Sequence, residues 1–395
     1  MSGEIKKVGV VGLGLMGFDI AFLYAMKGLQ TQVYDASETA MESLRSRRDQ
    51  TIERLKRRNR ISECEIANLQ NLLILALDLS DLKQADLITE AVSENAKIKL
   101  AVYQTLQNAG FTGILTTNTS SVTRATLVVG GEFDGQSFAL THFFNPVLFT
   151  RMVEVVKGNM NHADGANLIA FLKRLGRDPV ETRDISGFVS NGILMIYAVM
   201  ALRLLECGAR IEQVDKIAKK LRLLPPFLSF DSWKPSIVED VTKIMFGLRG
   251  DAFLRSSKLL TRMAKDNSRF YFDQTPNPKI YELAEARGPL LNDESVGRAL
   301  RASLFVAAVR VAELGESPAT VDLVAKEGLK LPQAPLREID AHGAEFLMRE
   351  LATIDKTLPG QPLPAPRLLA AMAEERQSFY KNGQTNPWLE SRVEH

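Results

Sequence analysis

Cysteine is nearly missing from this chain of 395 residues: Cys64 and Cys207 lie far apart and in no metal-ligand spacing. Two distant thiols exclude a disulfide scaffold and read as free thiols in a reducing compartment. Histidine is almost as scarce. His142, His162, His342 and His395 include no H-x-x-x-H pair, and none neighbours a cysteine, so no metal site is expected. An excess of one charge is missing too, with 49 basic residues against 47 acidic and a net charge of +2. A nucleic-acid or membrane-surface binder usually carries a larger imbalance, and neither partner is expected. Long apolar runs are absent as well. The longest uncharged stretch, residues 185–202, is broken in its first half by Ser186, Gly187, Ser190, Asn191 and Gly192. What remains is too short to span a bilayer and reads as a buried helix. Residues 1–7 are charged and run into a glycine-rich turn, unlike a signal peptide. The expectation is a soluble, cytoplasmic protein.

What is present is a 45% hydrophobic chain, long enough for two or three domains and for burial of about three quarters of its unfolded surface. From residue 6 to about 157, short β-rich runs at 7–11, 31–34, 87–89, 114–117, 137–143 and 152–156 alternate with amphipathic stretches. That alternation predicts an α/β domain with a parallel sheet and helices on both faces. Residues 40–70 are long and charged for one crossover and read as a helical excursion standing off the sheet. After about Asp184 strand signals stop, and helical stretches follow, punctuated by prolines at 225–226, 276–278, 332–335 and 359–366. This half repeats itself. Residues 199–225 laid on 306–332 give eleven identities in twenty-seven without a gap, among them Arg203 with Arg310, Gly208 with Gly315, Asp215 with Asp322 and Pro225 with Pro332. Ordinary composition would give roughly two. The expected architecture is therefore a doubly wound domain over 1–185, followed by two tandem all-α domains over 186–290 and 291–395.

Gly12-Leu13-Gly14-Leu15-Met16-Gly17 follows the first strand and opens an apolar helix. Such a motif alone is weak, but here it has the strand-turn-helix context of a Rossmann-type dinucleotide site. Gly12 permits the tight turn, Gly14 lets the backbone approach a pyrophosphate, and Gly17 lets the helix pack on the strand. The second strand ends at Asp35, whose carboxylate can accept from ribose hydroxyls and repels a 2′-phosphate. Ala36, Ser37 and Glu38 bring no cation to offset it, which favours NAD over NADP.

The run 116–121 sits at the carboxyl end of an expected strand, the edge where ligands lie in such sheets. His142 ends another, and Glu154 follows twelve residues on. In a hairpin turning near Leu148 the two fall opposite each other, within reach of an imidazole–carboxylate contact. A lone histidine at a strand end is more often structural. A carboxylate partner beside a cofactor site turns the reading toward a general base with a fixed tautomer.

His142-Phe143-Phe144-Asn145-Pro146 with Glu154, the preceding Asn118-Thr119-Ser120-Ser121, the stretch Glu90-Ala91-Val92-Ser93-Glu94 with Lys97 and Lys99, and residues 184–191 together resemble the L-3-hydroxyacyl-CoA dehydrogenases of fatty-acid β-oxidation. The tandem C-terminal half resembles the dehydrogenase portion of the bacterial multifunctional fatty-oxidation subunit, without a hydratase domain. The resemblance implies NAD-dependent oxidation of a 3-hydroxyacyl-CoA. His142 would take the C3 hydroxyl proton, Glu154 would orient it, and Ser120 and Asn191 would bond the substrate oxygen. Asn145 and Ser120 would place the nicotinamide, and Met16, Asp35, Val92, Glu94 and Lys99 would line the dinucleotide. Thr51 and Arg58, in a run with eight basic residues between 45 and 60, would meet the coenzyme A phosphates. The resemblance also implies a monomer with an internal pseudo-dimer, or a homodimer, and association with a thiolase or hydratase of the same pathway. The chain departs from the family at Gly192, where an arginine is expected, at residues 223–227, and at Glu327 in place of a tyrosine. Gly192 reads as leaving room for a bulkier or more polar acyl group, with Glu327 facing the same space. Two other readings stay open: oxidation of a free hydroxy acid or sugar acid, which would have no use for Arg58, and a catalytically weak NAD-binding scaffold.

Overall fold

The computed structural model describes residues 4–131, 135–255, 257–285, 291–358 and 362–393. The chain forms two units, Met1–Asp184 and Ile185–His395. Residues 359–361 of the proline-rich stretch, and His395, lie outside the described residues.

The first unit is built on one eight-stranded sheet: β1 (Lys7–Val11), β2 (Gln30–Tyr34), β3 (Leu73–Leu75), β4 (Leu87–Glu90), β5 (Ile114–Thr117), β6 (Phe138–Phe143), β7 (Met152–Val156) and β8 (Asp178–Glu181). Their spatial order is β3-β2-β1-β4-β5-β6-β7-β8. All neighbouring pairs are parallel except β6 with β7. The chain winds outward from β1 in one direction and from β4 in the other, so the switch point where ligands bind lies between those two strands. Helix α1 (Leu15–Met26) is apolar on nearly every side, and all ten residues from Gly17 onward are buried.

The charged excursion folds as α2 (Leu44–Lys56) and α3 (Glu63–Leu72), the latter begun by a capping box between Ser62 and Glu65. It does not stand clear of the domain. Helix α3 packs on α1, and Ile52, Leu55, Ile66 and Leu69 join the main core. The charged residues conceal a regular apolar stripe. Helix α4 (Ala96–Asn108) is capped by the Asn95 side chain, which accepts from the amides of Lys97 and Ile98.

In the second unit α5 (Ser190–Glu206) packs along α7 (Asp293–Glu313), and α6 (Pro235–Arg249) ends at a left-handed Gly250. Two carboxylate arrangements occur twice. Asp215 accepts from the amides of Phe227 and Leu228 and from the Tyr271 hydroxyl; Asp322 accepts from the Leu336 amide and the Tyr380 hydroxyl. Asp231 holds the amides of Phe270 and Tyr271, and Asp340 those of Phe379 and Tyr380, all at 2.8 Å. The helical expectation needs one correction. Two small antiparallel ribbons, Tyr271–Phe272 with Thr275–Pro276 and Tyr380–Lys381 with Gln384–Thr385, interrupt it. Their turns, Asp273-Gln274 and Asn382-Gly383, have positive φ at both positions, the geometry that suits a tight hairpin. Among the described residues no helix is long and apolar enough to cross a membrane.

Candidate active site

The glycine loop closes on the end of β4. Gly12 has φ +94°, and a Cβ there would lie 2.7 Å from the Ala91 carbonyl carbon. A Cβ on Gly17 would fall 1.8 Å from the Gly12 oxygen, so only glycine fits at either place. Gly14 differs. A Cβ would meet nothing within 4 Å, the residue caps α1 without a side-chain bond, and the helix's first turn carries no acid. Open space before a positive helix end suits a pyrophosphate. Met16 and Val92 are half-buried at the start of α1 and just beyond β4.

Asp35, at the end of β2, accepts from the amides of Leu13 (2.6 Å) and Ser37 (2.8 Å). Residues 36–38 hold no cation, as read from the sequence, but α2 supplies one. Arg47 donates to the carbonyls of Leu13 (2.5 Å) and Gly14 (3.1 Å) with its guanidinium 4.1 Å from the Phe18 ring centre. Burial pulls its pKa down, and the charges of Asp19 and Asp35 oppose that. The sequence expectation for the basic run named only Thr51 and Arg58 and gave Arg47 no role. A guanidinium on backbone carbonyls leaves no spacing signal.

Lys99 is corrected. It is 0% exposed, and its ammonium lies 2.9 Å from Glu90 Oε1, 3.4 Å from the Thr117 hydroxyl and 3.9 Å from Glu94. Glu90 Oε2 also accepts from the Tyr103 and Thr117 hydroxyls. A buried ammonium needs carboxylate and hydroxyl partners, and Glu90, which sequence reading missed, supplies them. Lys99 therefore supports the site from beneath rather than lining it. Burial, then the Glu90 charge, holds the Tyr103 phenol well above its usual range. Glu94 gathers the turn after β5, accepting from the amides of Ser120 (2.7 Å) and Ser121 (2.8 Å) and from the hydroxyls of Thr119 and Ser121.

His142 and Glu154 face each other across the antiparallel β6–β7 pair, in direct register. The imidazole Nδ1 lies 2.9 Å from Glu154 Oε2. Glu154 is 0% and His142 8% exposed. A carboxylate at Nδ1 fixes the proton there in the neutral ring and leaves Nε2 as the basic nitrogen. Asn118 steadies the strand end by accepting from the Phe143 amide at 3.1 Å, and Phe144 packs 5.3 Å from the imidazole, centre to centre. Asn145 is exposed in the turn that follows.

The remaining sequence candidates separate. Thr51 is buried in α2 at 7% exposure, whereas Arg58 is exposed with its guanidinium 5.9 Å from the Phe149 ring centre. Of the pair expected to meet coenzyme phosphates, only Arg58 is presented on the surface. Thr51 lies where the apolar stripe turns α2 inward. Asn191 is half-buried in the first turn of α5, in the second unit. Gly192 leaves no room beside it: a Cβ would meet Val311 Cγ2 at 2.8 Å and Arg249 Nη2 at 3.0 Å. The expected acyl space is filled by neighbours. Glu327 is exposed and pairs with Lys330 at 3.5 Å, so it is not the buried carboxylate expected there. Residues 223–227 lead into a helix whose first amides are held by Asp215.

Two family descriptions match the chain: the NAD binding domain of 3-hydroxyacyl-CoA dehydrogenase over residues 7–185, and its C-terminal domain over residues 187–269. The fatty acid oxidation complex subunit alpha of Pseudomonas syringae pv. tomato is 27% identical over 422 residues, covering 95% of this chain and 56% of that subunit. The chain thus spans little more than half the length of that relative. Among solved structures, the (S)-3-hydroxybutyryl-CoA dehydrogenase of Ralstonia eutropha is 26% identical with a TM-score of 0.58, covering 67% of this chain and 94% of that one. The Escherichia coli 3-hydroxybutyryl-CoA dehydrogenase, 19% identical, shares the fold with a TM-score of 0.77 over 94% of this chain and 99% of that one.

Proposed function

Because the chain belongs to the 3-hydroxyacyl-CoA dehydrogenase family and is an NAD-dependent dehydrogenase, we propose that it oxidises (S)-3-hydroxyacyl-CoA reversibly to 3-oxoacyl-CoA, with His142 as general base. The observation that carries this reading is the 2.9 Å contact between His142 Nδ1 and a fully buried Glu154 at the ligand edge of the sheet. His142 Nε2 takes the proton of the C3 hydroxyl. Glu154 stabilises the imidazolium that results, and it does so strongly because no water competes for its charge. The nicotinamide of NAD held by the glycine loop and Asp35 would supply the hydride acceptor for C3.

The other roles are those the family resemblance implies. Gly12, Gly14 and Gly17 shape the pyrophosphate seat, Asp35 selects the ribose hydroxyls, and Met16 and Val92 flank the dinucleotide. Glu94 fixes the turn that presents Ser120. Ser120 and Asn191 bond the C3 oxygen, Ser120 and Asn145 place the nicotinamide, and Arg58 meets a coenzyme A phosphate. The division into 1–185, 186–290 and 291–395 is part of this proposal, supported by the paired carboxylate locks at Asp215 and Asp322. So is a monomer in which two copies of the helical domain pair within the chain, with thiolase or hydratase enzymes as pathway partners.

The test is NADH formation with a panel of 3-hydroxyacyl-CoAs, with the matching free acids as controls. Thioester-dependent turnover is expected. Equal turnover of the free acids would replace this reading with a hydroxy-acid dehydrogenase.

A further inference from the structure

Arg249, the last residue of α6, turns its guanidinium onto the first turn of α5. A Cβ placed on Gly192 would meet Arg249 Nη2 at 3.0 Å and Nη1 at 3.5 Å, with Val311 of α7 closing the other side. Nη2 donates to the Phe188 carbonyl at 3.4 Å, while Nε is shielded from solvent with no hydrogen-bond partner. The segment it touches is unusually shaped. Gly187 has φ +83° and Phe188 φ +55°, and the Gly192 amide reaches back to the Gly187 carbonyl at 3.0 Å. A Cβ on Gly187 would lie 2.7 Å from Met245 Cε, one turn earlier on α6. Helix α6 therefore grips residues 187–192 at two points, and Asn191 lies inside that grip.

Stability does not favour this arrangement. A shielded N–H without an acceptor is costly, and a cation beside a helix N-terminus is opposed by the helix dipole. Burial draws the Arg249 pKa down to about 10 against the pull of Asp251, with Arg310 adding to the fall. Arg310 itself is engaged by Asp251 and the Pro364 carbonyl. Features that cost stability and persist next to a candidate site point to use.

We propose that Arg249 is a positioning residue for Asn191: its guanidinium fills the side of α5 that Gly192 leaves open, braces the 187–192 turn through the Phe188 carbonyl, and so aims the Asn191 carboxamide. The inference rests on the reading of Asn191 as a ligand of the substrate oxygen. Glycine at position 192 makes the room that the guanidinium from the other helix occupies.

The experiment compares full-length wild type, Arg249→Met, Arg249→Lys, Gly192→Arg and the transposed variant Gly192→Arg/Arg249→Gly/Val311→Ala, using 3-hydroxybutyryl-CoA and NAD. Arg249→Met should lower kcat about tenfold or more while NADH affinity stays within about twofold. Arg249→Lys should recover part of the loss, and the transposed variant should exceed Gly192→Arg alone. Wild-type kcat in Arg249→Met, or no recovery in both rescue variants, would overturn the proposal. Should Arg249→Met not fold, Gly192→Ala, which displaces the guanidinium without removing it, must show the same loss of kcat with NADH binding retained; an unchanged kcat there overturns it too. Absence of acyl-CoA turnover in wild type would be a failure of the proposed function instead. Hydrogen exchange then decides this inference separately: amides 187–192 should exchange about tenfold faster in Arg249→Met, and unchanged protection refutes the brace.

Discussion

At the scale of single residues, charge placement makes the sharpest claims. Replacing His142 by Gln should leave NADH affinity nearly intact and cut turnover by roughly 10²- to 10⁴-fold, because the proton acceptor is lost while the dinucleotide seat is untouched. Glu154→Gln should be similarly damaging, since a buried carboxamide carries no charge to offset the imidazolium; steady-state rates near normal in both variants would remove the pair from the chemistry. Asp35 carries a second claim. NAD should exceed NADP by well over tenfold in kcat/KM, more than about 1.4 kcal/mol of discrimination, and Arg47 does not reverse this because Nη1 and Nη2 each donate to a backbone carbonyl, of Leu13 and Gly14, which holds the guanidinium on the loop. Comparable kcat/KM for the two dinucleotides would show that Arg47 reaches a 2′-phosphate after all. The opposition of His142 and Glu154 was legible in the sequence because hairpin register is a matter of counting. The contact of Arg249 with Gly192 was not, because it joins residues on two helices through packing alone.

At the scale of elements, the glycine loop is the least forgiving. Gly17→Ala would drive a methyl group to 1.8 Å from the Gly12 oxygen, so α1 must move off β1. The expected result is a loss of about 1–3 kcal/mol or more of stability together with loss of NADH binding. Denaturant titration and NADH fluorescence would check both; wild-type binding would mean that the loop has slack it does not show. Legibility at this scale followed place in the sheet, and the two edge strands were the ones that escaped. Strands β1, β5 and β7 could be bounded from composition, whereas β3 and β8 have three and four residues, and β8 contains Pro179 and charged ends. Such edge strands are made by their neighbours' open hydrogen bonds rather than by their own pattern. The ribbons near 272 and 381 went unseen for the same reason, although Asn382-Gly383 is a hairpin signal in its own right.

At the scale of the whole molecule, tyrosine governs the alkaline limit. Six of the seven tyrosines, Tyr24, Tyr103, Tyr197, Tyr271, Tyr281 and Tyr380, have pKa values raised above the usual 10.0, in each case chiefly by burial. Above that value the unfolded chain releases phenol protons that the folded chain retains, so stability should fall as pH rises, beginning near 10. Phenolate absorbance should lag behind that of free tyrosine and then appear together with loss of circular dichroism. A smooth, uncoupled phenol titration would contradict the burial. The pairing of α5 with α7 sets a different limit. In a dimer of identical subunits every substitution at the contact is made twice and must suit both sides. Here Gly192 of α5 is pressed against Val311 of α7. Joined in one chain, the two halves can be inherited as one gene and altered one side at a time. On the proposed tandem division, one half is free to specialise while the other keeps only its shape.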